Sequence, residues 1–260
     1  MTPFSVSGLT SIINQLLPEP HASLLAGLLF GTKTSLPRDL YESLITTGTI
    51  HIAALSGQNL SILSTMISDR LVWIIGKRGA SAITLLLIVW FVSFVGPSPS
   101  IVRAAIMTGL TMIATVFGRQ YWALLSWMLA VGIMLVLNFS WISEISFQLS
   151  ALATLGIILF SRKEKNIITN ELRLTLAAQS LTIPLILFHF RRISLIAPLS
   201  NLAIGWSVPW ITGLGWVMAI IGWMWLPLGQ VIAWVDWVLL EYLIRAVRLM
   251  SGVPYASIGQ

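Results

Sequence analysis

Between Arg192 and Asp236 the chain carries no charged side chain, and similar runs separate Arg78 from Arg103 and Arg119 from Glu144. A helix needs about 20 apolar residues to cross roughly 30 Å of hydrocarbon, and each run is long enough to supply one. Of the 260 residues, 57% are hydrophobic and 9% are charged. An ordinary soluble domain has roughly 45–50% and about 25%, so a water-facing fold could not cover itself here. The strands of a membrane β-barrel would be about 10 residues long and would alternate polar with apolar; these runs do neither. The sequence predicts an all-α fold, a polytopic transmembrane helical bundle. The N-terminal MTPFSVSGLTSIINQLLPEP lacks the basic start and clean apolar centre of a cleavable signal peptide, so insertion falls to the internal helices.

Candidate spans lie at residues 51–75, 81–96, 99–118, 121–138, 141–160, 171–190, 194–223 and 228–247, about seven to eight in all. His21 to Phe30 is apolar but too short to cross, and reads as a short interfacial or re-entrant helix. After Pro37, RDLYESLITT reads as an amphipathic helix ending at Gly48. Pro184, Pro198 and Pro209 each remove a backbone donor, and with Gly205 they predict a broken helix near 194–223. Three segments follow: an extracytoplasmic or interfacial stretch at 1–50, a transmembrane domain at 51–250 and a tail at 251–260. Seven of the twelve tryptophans fall between Trp206 and Trp237, where interfacial anchoring is their expected role and base stacking a more speculative one.

The short loops alternate in charge. Lys77 and Arg78, then Arg119, then Arg162, Lys163 and Lys165 occupy every second connection, while GPSPS at 96–100 and NFS at 138–140 are uncharged. Basic loops face the cytoplasm, which places residues 1–50 outside and leaves Arg191 and Arg192 on the unexpected side. The net charge of +6 suits an anionic partner, but basic cytoplasmic loops account for it equally well. With no cysteine, disulfides, thiolate metal sites and cysteine nucleophiles are excluded. His21, His51 and His189 form no ligand motif, so no metal and no cofactor is expected.

Polar side chains inside a span are costly and mark candidate sites. Arg103, about 5 Å into the third span, could hold phosphate in forked geometry, snorkel to the headgroups or pair with Glu144. His51 opens the first expected span and is followed by Ser56, Gly57, Gln58 and Asn59, a set that suits close helix packing as well as function. A His51–Ser56 hydrolase pair is the sharper alternative, but the two lie about 140° apart on a regular helix and lack an acid partner. Glu144 and Gln148 share a face, with Ser150 nearby, and Asn201 precedes the expected break. The loop charges place His51, Arg103, Glu144, Gln148 and Asn201 in the outer half of the membrane, as an outward polar vestibule or as separate interhelical bonds. Asp236, Glu241, Arg245 and Arg248 read as a solvated or interfacial face of the last helix.

At these residues the sequence resembles the competence domain of the ComEC family of bacterial inner-membrane proteins. The resemblance is strongest over LLPEPHASLLAGLLFGTKTSLPRDLYESLITTGTIHIAALSGQNLSIL at 16–63, where a His-x-x-x-x-Ser-Gly signature falls on His51, Ser56 and Gly57. PSPSIVRAAIM, ISFQLSALATLGI and NLAIGWSVP are similar to three further family segments, in the same order, and carry Arg103, then Gln148 and Ser150, then Asn201. The resemblance implies a channel in the bacterial cytoplasmic membrane that passes single-stranded DNA into the cell during transformation. His51, Ser56, Gly57, Asn59, Arg103, Glu144, Gln148, Ser150 and Asn201 would line its path. It further implies a cytoplasmic DNA translocase motor as partner, since no P-loop is present, and separate DNA-receptor and nuclease proteins. The OB-like and metallo-β-lactamase-like domains of larger members are not in this sequence, so no catalytic residue is expected and the chain reads as a domain of a longer protein or as one that works with a separate nuclease. A transporter or flippase for a smaller anionic solute or lipid, and an intramembrane hydrolase, are the alternatives.

Overall fold

The computed structural model describes residues 5–32, 36–53, 57–161 and 166–259, with the side chains of residues 58, 167 and 259 outside the description. Among the described residues there are eleven α-helices, one 3-10 turn and one pair of three-residue strands, so the all-α expectation is met. The chain separates into two compact units: a terminal unit of residues 1–56 and 186–260, and a central unit of residues 57–185.

The terminal unit is built around α2, His21–Phe30, in which all ten residues are buried. Gly31 closes this helix in the left-handed conformation at φ 64°, which a glycine adopts without steric cost. A helix lying in a membrane interface keeps one face open, and α2 has none, so the interfacial reading gives way to a core helix. Around it pack α1, Val6–Leu16, then α10, Val208–Met224, and α11, Leu226–Ser251. In α3, Arg38–Thr46, Leu40 and Leu44 are buried one turn apart while Arg38 and Glu42 are exposed and paired at 3.0 Å. Gly48, at φ 71°, ends it where the sequence predicts. The expected break is present too: α9, Ala197–Gly205, bends by 46° into α10. Six of the tryptophans between 206 and 237 lie at the surface and only Trp216 is buried, as anchors at a lipid boundary require.

The α10–α11 contact is a regular antiparallel seam. A side-chain carbon on Gly229 would come 2.5 Å from the Gly222 Cα, so the two backbones touch there. From that contact the buried residues step apart in alternating threes and fours, through Met218, Gly215, Ile211 and Val208 on α10 and through Ala233, Asp236, Leu240 and Leu243 on α11. The matched spacing gives each helix a continuous buried stripe running from the glycine contact. Beyond α11, Ser257–Gly259 (β2) pairs antiparallel with Arg192–Ser194 (β1). Asp39 meets Arg248 at 2.7 Å, and a side-chain carbon on Gly48 would press on Ala197 and Ser194. The start of α9, the end of α11 and α3 therefore share one end of the unit.

In the central unit α4, Gly57–Val95, is two arms joined at Gly76, whose φ of 73° and ψ of 170° are not helical. Leu60, Leu63, Ser64 and Ile67 of one arm line a small cavity with Thr84, Leu87, Ile88 and Phe91 of the other, so the arms fold back antiparallel. α5, Pro99–Val116, α6, Ala123–Leu137, the 3-10 turn Phe139–Ser143 and α7, Ile145–Phe160, follow. Val102, Met134 and Phe147 form the core between them. α8, Ile167–Phe190, carries Pro184 without breaking and passes into the terminal unit.

Among the described residues four helices are long and apolar enough to cross a membrane (α4, α5, α8 and α11), and the bent pair α9–α10 is a fifth. The expected seven to eight spans also included α6 and α7, which have 15 and 16 residues and fall short of the usual 20. The first expected span begins later than position 51. Ile52 N–H bonds the Thr49 carbonyl at 2.9 Å, closing a turn, and the helix starts at Gly57.

Candidate functional site

Pro99 stands in the first turn of α5, where its missing N–H and fixed φ favour helix initiation. Arg103 follows one turn later, about 6 Å along the axis. Its Nη1 donates to the Ser150 carbonyl and the Thr154 hydroxyl of α7, while the Thr154 hydroxyl donates to that same carbonyl at 3.0 Å. The Arg103 Nε is buried with no partner. Among the described residues no carboxylate pairs with Arg103: Glu144, the alternative partner, caps the start of α7 at the surface. A guanidinium bonded only to neutral oxygens keeps its full charge available to an anion.

Gly57 brings the start of α4 against this group. A side-chain carbon there would lie 2.8 Å from Ala104 Cβ, 2.9 Å from the Ser100 carbonyl and 3.3 Å from Arg103 Nη2, so only glycine allows the approach. Asn59 is buried half a turn further on. The central unit thus assembles Gly57, Arg103 and Ser150 from the expected list and adds Thr154, which the sequence reading missed. Its signal was present: Ser150 and Thr154 are four apart, hence on one helix face. Gln148 is turned to another task. Its Nε2 donates to the Ile142 carbonyl at 2.8 Å and ties the 3-10 turn to α7, while its Oε1 is buried without a partner.

His51 and Asn201 belong to the terminal unit. His51 is exposed, in the turn after α3 rather than on a span, and its Nδ1–H donates to the Gly48 carbonyl at 3.2 Å. Asn201 lies on α9 with its Oδ1 buried and unpartnered. Ser56 lies outside the described residues, so the Ser56 half of the hydrolase pair does too; the helical spacing argument for that pair does not apply, because His51 precedes the helix.

Of the late charges Arg245 and Arg248 are exposed, as a solvated face requires, and Asp236 is not. Asp236 is fully buried, with no partner for either carboxylate oxygen among the described residues. Glu241 accepts from His21 Nε2 at 2.8 Å and from Arg245 Nε at 2.5 Å, tying α11 to the start of α2.

The Competence protein family model matches residues 28–260. ComE operon protein 3 of Bacillus subtilis (strain 168) is 26% identical over 196 residues, covering 74% of this chain and 25% of that protein. The chain therefore spans about a quarter of the length of the relative it matches. No solved structure matches. With apolar helices that cross a membrane several times and a family match over most of its length, the chain belongs to the Competence protein family and is a multi-pass membrane protein.

Proposed function

We propose that this chain is the membrane part of a DNA-uptake system and gives single-stranded DNA a polar path across the bacterial cytoplasmic membrane. Membership of the Competence family and the likeness to ComE operon protein 3 support the setting. The observation that carries the chemistry is Arg103, an intramembrane guanidinium held on α7 by neutral oxygens, with no carboxylate among the described residues to neutralise it. A polyanion crossing hydrocarbon needs such a charge, anchored yet open to exchange, so that each phosphate is held and released. Gly57, Asn59, Ser150 and Thr154 shape this part of the path, and Glu144 and Gln148 of the same unit stand at its approach. The chain moves its substrate without chemistry of its own. A cytoplasmic translocase supplies the force, and DNA-receptor and nuclease proteins act before and beside it.

The same reading makes eight crossings. The arms of α4, at 57–75 and 77–95, are each about 28 Å long at 1.5 Å per residue, and α5, α6, α7, α8, α9–α10 and α11 complete the set. It places α3, Arg192 and the end of α11 on the outer side, where the contacts among β1, β2 and α3 support their grouping. Arg191 and Arg192 then stand at an outward mouth. A flippase or transporter for a smaller anion would use the same arginine, but would not need a path for a strand.

Uptake of labelled single strands by vesicles holding the full-length protein and its motor tests this. Arg103→Gln is expected to lower uptake by at least tenfold, and Arg103→Lys to retain part of it. Rising salt is expected to weaken uptake in the unsubstituted protein more steeply than in Arg103→Gln, because one phosphate contact is lost. Uptake that ignores both substitutions overturns the assignment, and transport of short anions without strands favours the flippase.

A further inference from the structure

Asp236 lies ten residues into α11, about 15 Å from its start, a distance equal to half the thickness of a bilayer of roughly 30 Å. On α10 a side-chain carbon on Gly215 would meet Leu25 Cδ1 at 2.7 Å and Leu29 Cδ1 at 3.2 Å, so α2 packs closely there. The Asp236 side chain is fully buried, and among the described residues neither of its oxygens has a hydrogen-bond partner. Thr212, one turn from Gly215 on α10, is also buried and its hydroxyl also lacks a partner.

Three roles are open to such a group. A polar residue that fixes helix register bonds a partner across the helix contact, and among the described residues Asp236 has none. A divalent cation needs six or more oxygens around it, and among the described residues no group of three or more His, Cys, Asp or Glu side chains could hold one. The remaining ligand is the smallest cation. We propose that Asp236 is a proton-exchange site that sets the packing of α10 on α11. On release, the O–H bond breaks, its electron pair stays on the carboxylate and the proton leaves on a water molecule entering the seam. Among the described residues the ion left behind has neither an ion-pair partner nor a hydrogen bond, so it draws water in; on re-protonation the water leaves and the seam closes.

The neighbourhood isolates the group. Among the elements packed on α11, α1, α9 and α10 contain no titratable side chain. α2 brings His21, which is engaged by Glu241. α3 brings Asp39 to Arg248, about 18 Å further along the axis of α11, while its Arg38 and Glu42 are exposed and paired with each other and its Tyr41 is exposed. On α11 itself, Glu241 is paired with His21 and Arg245, Tyr242 bonds the Ala203 carbonyl, and Arg248 bonds Asp39. The inference does not rest on DNA passage.

The chain has no cysteine, so Thr212→Cys introduces a single reporter thiol in the seam. In membrane vesicles its labelling by a small water-soluble reagent is expected to rise from acid to alkaline pH several-fold more steeply than the thiol's own ionisation, which is read from the same thiol with Asp236→Asn added. Infrared difference spectra across the same range are expected to show one carboxylic carbonyl band that Asp236→Asn removes. If Asp236→Asn does not fold, Asp236→Glu must displace that band. Labelling that follows pH equally with and without Asp236, or a carbonyl spectrum that neither substitution alters, overturns the proposal.

Discussion

Arg103 and Asp236 place ionisable groups among apolar helices under opposite arrangements. The guanidinium is anchored by the Ser150 carbonyl and Thr154, whereas the carboxyl has no hydrogen-bond partner among the described residues. Thr154→Val removes one acceptor from Arg103 and is expected to cost about 1 kcal/mol, within the range of interhelical hydrogen bonds in membranes; Thr154→Ser should restore it. Thermal unfolding in detergent measures both. Equal stability of the two variants would place Arg103 on the Ser150 carbonyl alone. Arg103 was legible in the sequence because a lone charge in a long apolar run stands out. Its Thr154 anchor was not, since a threonine in a helix usually bonds its own preceding turn, as Thr154 also does. Asp236 was misread because Glu241, Arg245 and Arg248 follow it closely, and only the packing separates the buried residue from its paired neighbours.

Helix contacts in both units turn on glycine. In α7 a side chain at Gly156 would run into the Ala177 carbonyl of α8, a backbone atom that cannot move aside, whereas Gly132 of α6 has open space around it. Gly156→Val is therefore expected to destabilise by about 3 kcal/mol or more, and Gly132→Ala to change stability by less than about 1 kcal/mol. The two midpoints of unfolding in detergent give the comparison, and similar losses would contradict the close approach. The limits of α3 and the bend before α10 could be read from Pro37, Gly48, Gly205 and Pro209, because these residues act on their own backbone. The start of α4 could not, since the turn at 49–52 that delays it is made by backbone bonds that any sequence can form. Nor could the place of α2: ten apolar residues suit a membrane surface as well as a core, and only α1, α10 and α11 around it decide.

At the level of the molecule, the ends that come together through β1, β2 and α3 make the topology testable. Glu42→Cys and Val253→Cys, both at exposed positions, are expected to react with an impermeant reagent from one side of the membrane, and Arg78→Cys from the other. Reaction of Glu42→Cys and Val253→Cys from opposite sides would contradict the pairing of α3 with the end of α11. The terminal unit is also discontinuous, interrupted by the whole of the central unit. Synthesis proceeds from the N-terminus at about 5–20 residues per second, so α2 leaves the ribosome on the order of ten seconds before α10 and α11 exist to surround it. The central unit, whose α4 arms meet across a single turn, suffers no such delay. Biogenesis therefore imposes an order that the finished structure hides: the middle of the chain settles first, and the earliest apolar helix waits, unburied, for the last to be made.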